Sequence, residues 1–90
     1  MSIRKILVVD DSPTERHVLT ALLTSKGYEV ITAQSGEEGI AKAKSELPDL
    51  VLMDVVMPGL NGYQATRTLT RDPATRNIPV IVCTTKSQET

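Results

Sequence analysis

The sequence predicts an α/β fold built on a parallel sheet, and three observations carry that expectation. Short runs of almost wholly aliphatic residues ("KILVVD", "DLVLMD", "IPVIVCT") fit strands buried on both faces, the pattern of parallel sheets. Between these runs stand amphipathic stretches of helical periodicity. Residues that start and stop helices separate the two kinds of segment, so the order reads β-α-β-α-β-α-β.

Lys5 to Asp10 forms the first strand. Ser12 with Glu15 reads as a capping box, and Pro13 suits the first position of a helix. Val18, Leu19, Leu22 and Leu23 then recur at helical spacing, and Gly27 is the stop. Tyr28 to Ala33 is the second strand. Ser35 with Glu38 caps a second helix, whose apolar face comes from Ile40, Ala43 and Leu47 and which Pro48 ends. Asp49 to Asp54 is the third strand, followed by a loop through Pro58 and Gly59. Asn61 with Gln64 caps a third helix reaching to about Arg71. "DPATRN" is a turn-rich connector, and Ile78 to Thr84 is the fourth strand. Right-handed crossovers are expected between the parallel strands.

Ninety residues suit one small domain. With no Trp, no Phe and only Tyr28 and Tyr63, its core must be aliphatic. The net charge of −1 and the absence of a basic block argue against a nucleic-acid or anionic-membrane surface. No apolar run approaches membrane-spanning length, and the N-terminus lacks the pattern of a signal peptide. The lone Cys83 cannot form an internal disulfide, which points to a reducing compartment.

Two of the four strands end in aspartate: Asp10, followed by Asp11, and Asp54. Ligands of open parallel sheets bind outside the carboxyl ends of the strands. If the first and third strands are neighbours, three carboxylates crowd one crevice. Their mutual repulsion calls for a hard cation, and Mg²⁺ takes one or two carboxylates together with waters and phosphate oxygens. Asp10 and Asp11 could merely favour a helix N-terminus. That does not explain Asp54 on another strand, which is expected at the open rim of its aliphatic run. Thr84 adds a hydroxyl to the same rim.

The remaining chemically notable residues read as structural. His17 has no ligand partner at metal spacing, and Cys83, Met53 and Met57 read as packing. Tyr63 is expected to cover the inner face of the third helix or the loop. Arg67, Arg71 and Arg76 read as solvated charges.

The motifs "LVVDDS", "LVLMDVVMPGLNG" and "VIVCTT", in this order and spacing, resemble the receiver domain of two-component response regulators over the whole chain. Within that family the likeness is to the single-domain regulators of type IV pilus twitching motility. The resemblance implies a doubly wound, flavodoxin-like parallel sheet of strand order 2-1-3-4, without the family's fifth strand and last two helices. Residues 1–90 then form a single receiver domain, C-terminally incomplete.

The resemblance also implies roles. Asp54 matches the phosphoacceptor. Mg²⁺ would be held by Asp11, by Asp10 largely through water, by Asp54 and by the backbone carbonyl of Val56. Thr84 matches the switch hydroxyl, with Thr85 beside it. Thr14, Glu15 and Val18 match the surface that docks a histidine kinase or a CheA-like phosphotransfer domain. A cytoplasmic phosphoacceptor that signals to a downstream protein target is implied, with no nucleic acid or membrane partner. The family's lysine at the end of the fifth strand has no counterpart, since Lys86 belongs to the loop after the fourth strand. The fourth strand then becomes an apolar edge, from which self-association is expected. Two other readings compete. One is a phosphorylation-independent interaction module. The other is a phosphatase of the haloacid-dehalogenase type, which wants a second Asp two residues after the first-strand nucleophile, where Ser12 stands.

Overall fold

A computed structural model describes residues 2–55, 57 and 59–83. Among them are four strands and three helices: β1 (Lys5–Val9), α1 (Pro13–Ser25), β2 (Glu29–Ala33), α2 (Gly36–Glu46), β3 (Leu50–Asp54), α3 (Gly62–Arg71) and β4 (Val80–Cys83). All pairings are parallel, as the apolar runs predict, and the strand order is β2-β1-β3-β4, the order that the resemblance implies.

That order decides where the helices lie. The chain steps from β1 outward to β2 through α1, then back across β1 to β3 through α2. Crossovers of one hand, taken in opposite directions, place α1 on one face and α2 on the other. α3 continues in the second direction and packs beside α2. The main core fills the α2/α3 face: Leu7, Val9, Val51 and Met53 from the sheet meet Ala43, Ala65 and Leu69 from the helices. Ile6 and Val8, also buried, alternate with these residues and so face α1.

The ends of the helices differ from expectation in detail. Asn61 and Gln64 form the full reciprocal capping box, each side chain bonding the other residue's backbone N–H at 3.0 Å. At α1 only half of the box forms. Ser12 Oγ accepts from the Glu15 N–H at 3.2 Å, but the Ser12 N–H donates to Asp10 Oδ1, not to Glu15. At α2, Glu38 Oε1 accepts from Gln34 N–H, one residue before the Ser35 cap. Gly27, at φ 95°, ends α1 in a Schellman arrangement, with Tyr28 N–H donating to Leu23 O and Gly27 N–H to Thr24 O.

Four expectations are corrected. Leu47 is not on the inner face of α2. It is the helix's C-cap, left-handed at φ 47° and exposed. β4 begins at Val80, because Ile78 is drawn into the preceding turn, where its N–H donates to Thr75 O. Tyr63 points outward from the first turn of α3 and is exposed; Ala65 and Leu69 take the inner face instead. α1 buries none of its residues fully, and Val18 (56% exposed) and Leu22 (51%) face solvent while Leu19 and Leu23 are half-buried. Thr84, the expected last residue of the fourth strand, lies outside the described residues.

Candidate metal and phosphoryl site

The sheet's order reverses between β1 and β3, and the crevice of an open α/β sheet forms at such a point. Asp10 immediately follows β1 and Asp54 ends β3, so the topology alone brings both to the carboxyl rim. Asp10, Asp11 and Asp54 each offer a carboxylate oxygen within 4.8 Å of the others. The sequence predicted this cluster, and the structure assembles it.

Each member is held by local structure. Asp10 N–H donates to Ala33 O at 3.0 Å, continuing the β1–β2 ladder by one step. Its Oδ1 takes the Ser12 N–H at 2.9 Å, which aims the carboxyl at the N-terminus of α1. Arg16 Nη1 donates to the Asp10 carbonyl at 2.7 Å. Asp54 pairs in register with Cys83 on β4, and the Val55 N–H just beyond it donates to Cys83 O at 3.2 Å. On its other side Asp54 meets α3: a Cβ built on Gly62 would clash with the Asp54 carbonyl oxygen. Glycine at the first position of α3 is what lets the helix start against the end of β3.

Asp54 is 2% exposed, and Asp10 is equally buried. The expectation that Asp54 stands at an open rim is therefore corrected. It is at the strand's end but enclosed, and the start of α3 packs against its backbone. Asp11 is half-buried and makes the outer side of the cluster. Ionised carboxylates removed from water are costly unless charge compensates them. The donor set fits Mg²⁺: all oxygen, all anionic, with separations comparable to the roughly 4 Å between trans ligands of such an ion, and water can span the wider gaps.

The negative field reaches Cys83. Burial first, then the charges of Asp54 and Asp10, push its thiol above the ordinary range, against a lowering by its hydrogen bond with the Met53 backbone. Of the predicted docking residues on α1, Thr14 and Val18 are exposed and Glu15 is half-buried, so they share an accessible helix surface beside the cluster. His17 is exposed on the same helix, and Met53 and Met57 are buried as packing residues. The expected roles of Val56, Thr84 and Thr85 fall on residues outside those described.

Arg16 and Gly62 were not singled out from the sequence. Arg16 could have been. Helical side chains lean toward the N-terminus, so a long cation one turn inside α1 reaches back to the end of β1. Gly62 carried no such signal, because the need for it arises only from contact with a distant strand.

A family model described as response regulator receiver domain matches residues 6–90. Protein PilH of Pseudomonas aeruginosa is 60% identical over 86 residues, covering 96% of this chain and 71% of that protein. The N-terminal domain of a response regulator receiver protein from Methanoculleus marisnigri superposes with a TM-score of 0.89 at 43% identity, covering 98% of this chain and 72% of that one. The receiver domain of the sensor histidine kinase PA1611 from Pseudomonas aeruginosa was solved with a magnesium ion coordinated in its active-site cleft. It superposes at 0.87 with 33% identity, over 98% of this chain and 72% of its own.

Proposed function

This chain belongs to the response regulator receiver family, and from that premise we propose that it is a two-component phosphorelay response regulator whose Asp54 accepts a phosphoryl group from a histidine kinase or a CheA-like phosphotransfer domain. The observation that carries this reading is the Asp10–Asp11–Asp54 cluster at the carboxyl ends of adjacent parallel strands. Residues 1–90 act here as one receiver unit.

The chemistry follows from the geometry. A carboxylate oxygen of Asp54 attacks the phosphorus of a phosphohistidine. The O–P bond forms, the N–P bond breaks, and the departing imidazole nitrogen keeps the electron pair and takes up a proton. In phosphoryl transfer the protein mainly positions groups and balances charge. β3 and Gly62 of α3 fix the backbone that carries Asp54. Asp10, Asp11 and Asp54, with the Val56 carbonyl, would hold Mg²⁺, which supplies positive charge to the transferring phosphoryl oxygens. Thr84 is the hydroxyl proposed to answer the new phosphoryl group, with Thr85 beside it. Moving Thr84 inward rearranges the loop after β4 and gives a downstream protein something to read.

Thr14, Glu15 and Val18 are the proposed docking residues. The exposure of Thr14 and Val18 on α1, with Glu15 half-buried between them and Asp11 nearby, supports that role. The likeness to PilH supports a place in the control of type IV pilus twitching motility, and with it a cytoplasmic location. Self-association through the β4 edge belongs to the same reading. The phosphatase alternative loses ground at Ser12, which stands where that chemistry needs a second acid and serves as the N-cap of α1.

The test is direct. Incubation with Mg²⁺ and acetyl phosphate, followed by intact-mass measurement, is expected to add one phosphoryl group to the native chain and none to Asp54→Asn. A folded native chain that gains no phosphoryl group would sink the phosphoacceptor reading in favour of the phosphorylation-independent module.

A further inference from the structure

Asp10 is fixed at its amide by Ala33 and at its carboxyl by Ser12, both local consequences of the strand and the helix start. Its carbonyl is different. A strand carbonyl at the end of a ladder must find a donor elsewhere, and here the donor is a side chain, Arg16 Nη1, at 2.7 Å. We propose that Arg16 is a positioning residue of the acidic site: by holding the Asp10 carbonyl it sets the backbone from which the Asp10 and Asp11 carboxylates are presented. The proposal rests on the metal-binding reading given above and concerns the part of that site which is not itself a ligand.

The arrangement around Arg16 supports this. Together with Thr32, Ala33, Gln34, Glu38 and Lys42 it lines a polar cavity of about 90 Å³ at the carboxyl end of β2. Lys42 Nζ reaches the Thr32 carbonyl at 2.5 Å, so a second cation fastens the neighbouring strand in the same manner. Glu38 stands between the two cations. It pairs with Lys42 at 3.3 Å, accepts from Gln34 N–H, and is held below its ordinary range by that backbone bond first, with Lys42 and Arg16 adding to the effect. Glu38 on α2 thus pairs with the cation that fastens β2, and Arg16 stands near enough to act on its charge.

Arg16 suits its task better than lysine would. Its planar fork is pre-organised, stays charged and is weakly hydrated. A charge-assisted bond to a carbonyl is also stronger than a neutral one. The guanidinium's charge by itself opposes a nearby cation, so what it contributes to Mg²⁺ binding comes through the backbone it holds. Groups that orient metal ligands from behind change metal affinity by about 10- to 100-fold when replaced.

The experiment compares Arg16→Gln, Arg16→Lys and Lys42→Gln with the native 90-residue chain. Mg²⁺ affinity is read from the movement of backbone amide resonances, and thermal stability is measured in parallel. Arg16→Gln is expected to weaken Mg²⁺ binding about tenfold. The Ser12 amide proton, whose bond to Asp10 Oδ1 reports the carboxyl's orientation, is expected to shift even without Mg²⁺. Arg16→Lys should recover part of the loss. Lys42→Gln, which releases the other strand end, should lower stability while leaving Mg²⁺ affinity within twofold. If Arg16→Gln lowers stability but binds Mg²⁺ as the native chain does, Arg16 is only a fastener and the proposal is overturned. If Arg16→Gln fails to fold, Arg16→Lys decides, native-like affinity and an unmoved Ser12 resonance counting against it. A native chain that binds no Mg²⁺ overturns the metal reading itself, a result distinct from equal binding by native and variant.

Discussion

Asp54 and Cys83 occupy paired positions on β3 and β4, and their proximity has a measurable consequence. The Cys83 thiol is raised by burial and then by the Asp54 and Asp10 charges, so at a pH of about 8 less of it is thiolate than in an ordinary cysteine. Only the thiolate alkylates. Asp54→Asn removes one of the two charges and leaves burial in place. The variant's alkylation profile is therefore expected to move to lower pH, with a faster rate at fixed pH. Mg²⁺ added to the native chain is expected to act in the same direction, which gives this tryptophan-free protein an optical readout of metal binding. Identical profiles for native and Asp54→Asn chains would show that burial alone sets the thiol. At this scale the acids were legible because charge inside an aliphatic run is conspicuous in any sequence. The contact that braces the Asp54 backbone was not, because it depends on where a later helix lands.

That later helix is α3, and it shows how an element can be locally determined at one end and globally determined at the same point. Its start was readable from Asn61 and Gln64 alone, since a capping box closes within four residues of chain. The identity of its first residue was not readable, since Gly62 answers to the Asp54 carbonyl and the Val55 Cα, part of another element. Gly62→Ala is expected to cost about 1–3 kcal/mol, the usual range for forcing extra volume into a packed contact. Because the added methyl group meets rigid backbone, the helix start or the end of β3 must shift. Phosphoryl uptake should fall along with the midpoint of urea unfolding. An alanine variant of native stability and native uptake would show that α3 does not brace the phosphoacceptor. The helix starts at Ser12 and Ser35 were similarly legible in position but not in partner. Asp10 and Gln34 lie outside the helices, and their bonds to the cap regions follow from how each strand hands over to its helix.

Across the whole molecule the two faces of the sheet are unequally covered, and this asymmetry yields the last prediction. On the α2/α3 face, Leu7 and Val51 lie side by side in register and are fully buried. On the α1 face the row Val8, Leu52, Ile81 runs across β1, β3 and β4, and burial falls along it: Val8 is buried, Leu52 half-buried and Ile81 51% exposed. The cause is reach, since among the described residues α1 packs mainly on β2 and β1. Periodicity announced α1 as amphipathic, but it could not say that Val18 and Leu22 would find no sheet beneath them. Their exposure joins that of Ile81 on the same side of the sheet as the edge strand β4. An apolar edge strand flanked by exposed aliphatic side chains pairs readily with another copy. The 90-residue chain is therefore expected to self-associate with rising concentration, two β4 edges continuing one sheet across a twofold axis. Sedimentation should show a concentration-dependent rise in mass. Ile81→Lys, which sets a charge on each side of that seam without touching the acidic cluster, should return the protein to monomer while keeping its Mg²⁺ binding. A native chain that sediments as monomer at high concentration would mean that the open face and the β4 edge are too small to hold two copies together.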